Sequence, residues 1–170
     1  MTTKTARPAK SSPAAPRSSA RASSLFLDNQ LCFALYATSL AMTKVYRPLL
    51  APLGLTYPQY IVMLALWEHR ELTVGNLGEQ VALDSGTLVP LIRKLTALGL
   101  VLRQRSAMDD RSVLISLTPA GMQMSERAHA VHDRVVCTTQ RTPAERQAMV
   151  RSLHGLRVAL LQDGAVKPSV

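Results

Sequence analysis

Only two cysteines occur in these 170 residues, Cys32 and Cys137. Two widely spaced cysteines do not build the disulfide framework of a small secreted domain. No apolar run approaches the roughly eighteen residues of a membrane span. A phosphate-cradling glycine loop is also missing, because Gly75, Gly78 and Gly86 are too dispersed to form one. Acidic residues are scarce, 11 against 20 lysines and arginines, and the net charge of +9 suits a polyanionic partner. Charged residues are only 18% of the chain and hydrophobic ones 47%. That is enough for a core, with apolar surface left for a partner chain to cover. The histidines are scattered. His129 and His132 stand three apart on one predicted helix, but no carboxylate or cysteine joins them, so they read as surface groups and no metal or other cofactor is expected. The class these absences leave is a cytoplasmic, nucleic-acid-binding chain with no membrane partner.

Residues 1–24 hold five basic residues and no acid among Ser, Ala, Pro and Thr. Almost nothing there can be buried, which predicts a disordered tail. It reads as a basic arm adding non-specific DNA affinity, or as a dispensable extension; an acid-free, Arg- and Ser-rich start also mimics a transit peptide. One domain is predicted over 25–163, followed by a loose end at 164–170.

The stretch from Thr73 to Gly121 organises the domain. A short helix, Val74 to Val81, a turn at Leu83–Asp84 and a second helix ending near Leu98–Gly99 precede two alternating runs, Leu100 to Arg105 and Ser112 to Leu117. The polar turn Ala107–Arg111 joins those runs. This is the plan of a winged helix-turn-helix: mainly α, with a small β-hairpin wing. Asp84 and Ser85 can accept from the free amides that open the second helix. Leu88, Leu91, Ile92, Leu95 and Leu98 recur at helical spacing and should face the core, with Thr87, Arg93, Lys94 and Ala97 on the other side. Pro90 is comfortable only in a first turn, so the helix starts near Ser85 to Thr87 or bends at Pro90. Gly99 suits a left-handed helix stop. Asp84, Ser85, Thr87, Pro90, Lys94, Arg103, Arg105, Asp109 and Arg111 are the candidate DNA-binding residues. Ser85, Thr87 and Lys94 are expected toward the major groove, as on the second helix of a helix-turn-helix, while Arg103 and Arg105 hold phosphates.

A first long helix is predicted from about Leu25 to Leu50, with Asp28 at its positive end and Pro48 and Pro52 near its close. LCFALYATSLAMTKVY is apolar on more than one face and reads as a subunit-interface helix. Cys32 and Tyr36, four apart, share a face. Tyr46 shares it too, but fourteen residues rise about 21 Å, too far to meet Cys32 within one straight helix. A two-fold axis could bring Tyr46 of one chain to Cys32 of the other. The residues alone leave Cys32 open between a small buried hydrophobe and a reactive thiol. Ile61, Met63, Leu64, Leu66 and Trp67 read as core. Thr118-Pro119 opens a helix carrying Cys137, with Ala128, Val131, Val135 and Val136 as its apolar side. Thr142-Pro143-Ala144-Glu145 is a capping box before a last helix whose leucines should complete a dimer interface.

The wing sequence RSAMDDRSVLISLTPAG, with Asp109 and Arg111 as its Asp-x-Arg element, resembles the MarR family of bacterial transcription regulators over roughly Leu25 to Leu161. The resemblance implies a homodimeric winged-helix repressor of double-stranded operator DNA, not an enzyme. Residues 25–56 and 119–163 would form the dimerisation helices and 57–118 the DNA-binding part. Leu-Cys-Phe-Ala-Leu-Tyr, then Tyr46, then Leu55-Thr56-Tyr57-Pro58-Gln59-Tyr60 resembles the organic-hydroperoxide-sensing branch. That resemblance implies Cys32 as the sensing thiol, Tyr36, Tyr46 and Tyr57 as its hydrogen-bonding partners, an organic hydroperoxide as inducer, and Cys137 as the resolving cysteine of a two-cysteine type with an intersubunit disulfide. A regulator answering a reversible phenolic ligand, with Cys32 a bystander, and a thiol peroxidase are the competing readings.

Overall fold

The computed structural model of the protein describes residues 24–105 and 112–162. The predicted basic tail up to residue 23, the wing turn with Asp109 and Arg111, and the last residues from 163 lie outside the described residues. The chain falls into two compact units, one through Ala41 and one from Met42 onward. The division lies within a single helix, α1, Leu31–Leu50.

In the first unit, a 3-10 turn at Leu27–Asn29 precedes α1, and Gln30 is extended at φ −92°, ψ 117°. Helix α1 therefore starts at Leu31 and not near Leu25, because an extended Gln30 interrupts the helical backbone. The Gln30 amide donates to Leu27 O at 3.0 Å, and its side chain donates to the Ser24 and Phe26 carbonyls, which fixes that interruption. Asp28 consequently sits in the turn and not in the helix. Cys32 is the second helical residue, closer to the start than the full turn expected of it.

In the second unit α1 ends at Leu50, a fully buried residue, with Pro48 inside its last turn. A 3-10 turn, Ala51–Leu53, closes on Gly54 at φ 69°. Helix α2, Tyr57–His69, is tied at its start by Gln59 Oε1, which accepts from the Thr56 amide at 2.8 Å and the Thr56 hydroxyl at 3.0 Å. Tyr60, Val62, Met63 and Leu66 are buried, but Leu64, expected in the core, is exposed. Residues Tyr60 to Trp67 are apolar around the full helix circumference, so one side must point outward.

A three-residue strand β1, Glu71–Thr73, precedes helix α3, Val74–Val81, and was not visible in the residue pattern. Three residues carry no periodicity; the strand exists because β3 offers it hydrogen bonds. Thr73 then caps α3 by accepting from the Asn76 amide at 3.2 Å. Helix α4, Ser85–Ala97, buries Leu88, Ile92 and Leu95 and half-buries Leu91. Leu98, expected in that stripe, is 49% exposed. The helix stops at Ala97 and Gly99 turns at φ 70°, so Leu100 and Val101 take the core position in its place. Pro90 is the sixth residue of α4, beyond the first turn, so the Gly86 carbonyl has no amide to receive there.

Strands β2, Val101–Arg105, and β3, Val113–Leu117, pair antiparallel from Val101 opposite Leu117 to Arg105 opposite Val113. The sheet order is β1-β3-β2. Beyond Val101 both faces of β2 are exposed, so the expected in–out alternation is lost as the hairpin leaves the core.

Helix α5, Pro119–Thr138, is capped by Thr118, whose hydroxyl accepts from the Gly121 amide at 2.9 Å and donates to Gly99 O at 2.7 Å. Its buried side is Ala128, Val131 and Val135. Helix α6, Pro143–Gln162, begins with the expected capping box, Glu145 accepting from the Thr142 amide at 2.8 Å. It buries none of its own residues, and Met149, Val150, Leu153, Leu160 and Leu161 are exposed on the single chain. No single helix among the described residues is long and apolar enough to cross a membrane.

Candidate DNA-reading and thiol sites

The helix start at Ser85 is set by Asp84. One carboxylate oxygen accepts from the Thr87 amide at 2.8 Å and the other from the Thr87 hydroxyl at 2.9 Å. The Thr87 amide, then its hydroxyl, hold the Asp84 carboxyl below its usual value, so the cap is ionised at neutral pH. Asp84 therefore acts on the helix itself, ordering the first turn. Ser85, Thr87, Pro90, Arg93 and Lys94 are all exposed on α4, opposite the buried leucines. Arg103 and Arg105 are exposed on β2 of the hairpin. Helix, turn, helix and hairpin thus present a basic outer surface on a packed support.

Both cysteines are free and exposed, Cys32 in the first turn of α1 and Cys137 in the last turn of α5. On the single chain neither thiol is buried. Tyr36 lies one turn beyond Cys32 and is 63% exposed. Within the second unit, the structure brings Tyr46 and Tyr57 together, with ring centroids 4.6 Å apart. Tyr60, to which the family resemblance assigns no role, completes the cluster at 5.5 Å from Tyr46 and 6.0 Å from Trp67. Burial, reinforced by Tyr60 and Tyr57, pushes the Tyr46 phenol up to about 12. Burial also raises Tyr57 and Tyr60. These phenols stay protonated, and so keep an O–H to donate, far into alkali.

The histidines expected on the surface are exposed, as predicted for His129 and His132, and these two also line a cavity with Trp67. Among the described residues no group of three metal-ligating side chains gathers.

A short strand, two α-helices joined by a tight turn, and a β-hairpin that completes a three-stranded antiparallel sheet make a winged helix-turn-helix fold. The family model of the transcriptional regulators SarA/Rot matches residues 44–128. The organic hydroperoxide resistance transcriptional regulator of Bacillus subtilis (strain 168) is 46% identical over 136 residues, which cover 80% of this chain and 92% of that protein. AbfR, a protein of Staphylococcus epidermidis, has solved structures of the same fold. Reduced AbfR bound to DNA aligns with a TM-score of 0.67 at 32% identity, covering 83% of this chain and 99% of that one. The disulfide-formed state aligns at 0.58 and 33% identity, covering 82% and 98%. The chain belongs to the MarR family of winged-helix transcription regulators, in the branch of the organic hydroperoxide regulators.

Proposed function

We propose that this protein is a homodimeric repressor that holds operator DNA while its thiols are reduced and releases it when an organic hydroperoxide oxidises Cys32. The observation that carries this reading is the exposed Cys32 thiol in the first turn of α1, with the Tyr36 phenol one turn away. A thiolate attacks the peroxide oxygen, and the product is a sulfenic acid and an alcohol. Tyr36, with Tyr46 and Tyr57 contributed across the two-fold axis, supplies O–H donors to the sulfur or the peroxide. Exposed Cys137 then condenses with the sulfenic acid of the partner chain, releasing water and forming an intersubunit Cys32–Cys137 disulfide. A disulfide demands Cα atoms within about 7 Å, so closing it repositions helices and with them the two α4 helices on the DNA.

Two further observations support the assembly. The exposed apolar residues of α1 and α6 form the kind of surface a second chain covers. AbfR has been solved both reduced on DNA and with its disulfide formed. On the operator, Ser85, Thr87 and Lys94 read the major groove and Arg111 the minor groove, with Arg103 and Arg105 on phosphates and Asp84 and Pro90 shaping the helix that enters. The operator is an inverted repeat with half-sites about one helical turn apart.

The test is a titration of the operator complex with organic hydroperoxide, then dithiothreitol, in wild type and Cys32→Ser. Release by peroxide, recovery with dithiothreitol and insensitivity of Cys32→Ser are expected. Release that persists in Cys32→Ser would transfer the function to a reversibly bound ligand. Sustained turnover of peroxide with a thiol reductant would make the protein a peroxidase.

A further inference from the structure

A further oxidisable sulfur, that of Met122, lies outside the cysteine chemistry. Between α2 and α5, wholly within the second unit, is a cavity of about 480 Å³. Its walls include Tyr60, Leu64, Trp67 and Leu117, and Met122 and Arg70 stand side by side in it. The Arg70 guanidinium nitrogen Nη1 is 3.3 Å from the Met122 sulfur. Among the described residues Arg70 has no carboxylate partner, and none of the residues around the cavity is acidic. Met122 is 39% exposed, whereas Met63 is fully buried.

The backbone makes this placement costly. Arg70 closes α2 at φ 69°, ψ −45°, a region where glycine is at ease and a residue with a Cβ is strained. Its amide donates to Leu66 O at 2.8 Å and its carbonyl accepts from the Leu117 amide at 3.3 Å, which holds the conformation. Strained non-glycine positions of this kind cluster at functional sites.

We infer that Met122 is a modification site, oxidised to the sulfoxide by an organic hydroperoxide seated in this cavity with Arg70 as electrophilic partner. The apolar walls take the alkyl or aryl group of the oxidant. A sulfur lone pair attacks the terminal, hydroxyl-bearing oxygen, forming the S–O bond as the O–O bond breaks. The peroxide is reduced by two electrons to the alkoxide, and sulfur is oxidised by two electrons. The proton of the transferred hydroxyl passes through solvent to the alkoxide, giving the alcohol and methionine sulfoxide. Arg70 has five N–H donors in a fixed fork, so one can stay by the sulfur while another meets the charge developing on the leaving oxygen. In the product, the sulfoxide oxygen is a far stronger acceptor for the guanidinium than the thioether was. The site acts without either cysteine, so its fate is separable from that of the thiol switch.

The test uses the full chain with both cysteines changed, Cys32→Ser and Cys137→Ser, mixed with N-acetylmethionine as an internal competitor. Cumene hydroperoxide or hydrogen peroxide is added in limiting amount, and peptide fragmentation by mass spectrometry locates the added oxygen at Met122 or at Met124 beside it. The Met122-to-competitor ratio should be roughly tenfold or more higher with cumene hydroperoxide than with hydrogen peroxide, which has no group for the walls to hold. Arg70→Gly removes the guanidinium and relieves the backbone, and it should lower the Met122-to-competitor ratio for both oxidants while the walls keep cumene hydroperoxide ahead. Equal ratios for the two oxidants in the parent chain, equal oxidation of Met124, or an unchanged ratio in Arg70→Gly would each overturn the assignment.

Discussion

Gly121 is the position where a single methyl group should do the most damage. It is the third residue of α5, and a Cβ built there would lie 2.1 Å from the Leu100 carbonyl oxygen and 3.0 Å from its carbon. Ordinary contact begins at 3.4 Å, so α5 must recede from the start of β2 by about 1.3 Å, the difference between the two distances. The atoms it meets are backbone and cannot swing aside. Four bonds cross this joint: the Thr118 amide to Leu100 O at 3.1 Å, the Thr118 hydroxyl to Gly99 O at 2.7 Å and to Leu100 O at 3.2 Å, and Trp67 Nε1 to Gly121 O at 2.9 Å. Overpacking of this kind costs about 1–3 kcal/mol. Straining two of these bonds adds about 2 kcal/mol, at about 1 kcal/mol each, and the helix-propensity gain of alanine over glycine returns about 1 kcal/mol. Gly121→Ala should therefore lose about 2–4 kcal/mol, a large part of the 5–15 kcal/mol typical of a folded domain. Urea unfolding followed by circular dichroism should show the midpoint falling by roughly 1–2 M with the slope unchanged. The chain has one tryptophan, so emission from Trp67 reports the same joint directly and should move toward that of exposed indole. Gly75→Ala is the counterpart: the nearest atom to its added Cβ is Thr73 Oγ1 at 4.0 Å. It should be neutral or stabilising by up to about 1 kcal/mol. An unchanged midpoint and emission in Gly121→Ala would refute the close approach of α5 to β2.

Other expectations bear on the caps, the phenols and the sites. Thr118→Ala removes the acceptor for the Gly121 amide and should cost about 1–2 kcal/mol in the same unfolding assay. The Tyr46 phenol ionises near pH 12 in the folded chain, against 10.0 ordinarily. Both states are protonated below pH 10, so its contribution is fully present there and is lost as pH rises through the folded value. Absorbance titration should show phenolate forming late, and Tyr46→Phe should flatten the alkaline loss of stability. Arg103→Ala with Arg105→Ala should weaken operator binding evenly across sequences and reduce the salt slope by about 1 for each arginine; an unaltered slope would remove both from the phosphate contacts. Cys137→Ser should leave Cys32 oxidisable but abolish the covalent dimer on a non-reducing gel, and persistence of that dimer would disprove the pairing.

Helical periodicity and cap chemistry determined much of this protein before any coordinate. Val74–Val81 was legible end to end, Asp84, Thr118 and Thr142 marked helix starts, and Gly99 marked a stop, because these are local events between residues four or fewer apart. The exposed face of α4 followed from the same periodicity. Family motifs, not spacing, gave Cys32 and Cys137 their expected redox roles. Tertiary structure alone decided the rest. Strand β1 needs a partner more than forty residues away in sequence to exist at all. Leu64 and Leu98 carry the pattern of core residues, yet the core has finite room and Leu100 and Val101 fill it. The gathering of Tyr46, Tyr57 and Tyr60, the bond from Trp67 to Gly121, and Arg70 beside Met122 all join residues from different elements. No one-dimensional pattern encodes such distances, because they are fixed only when the helices and the sheet pack together.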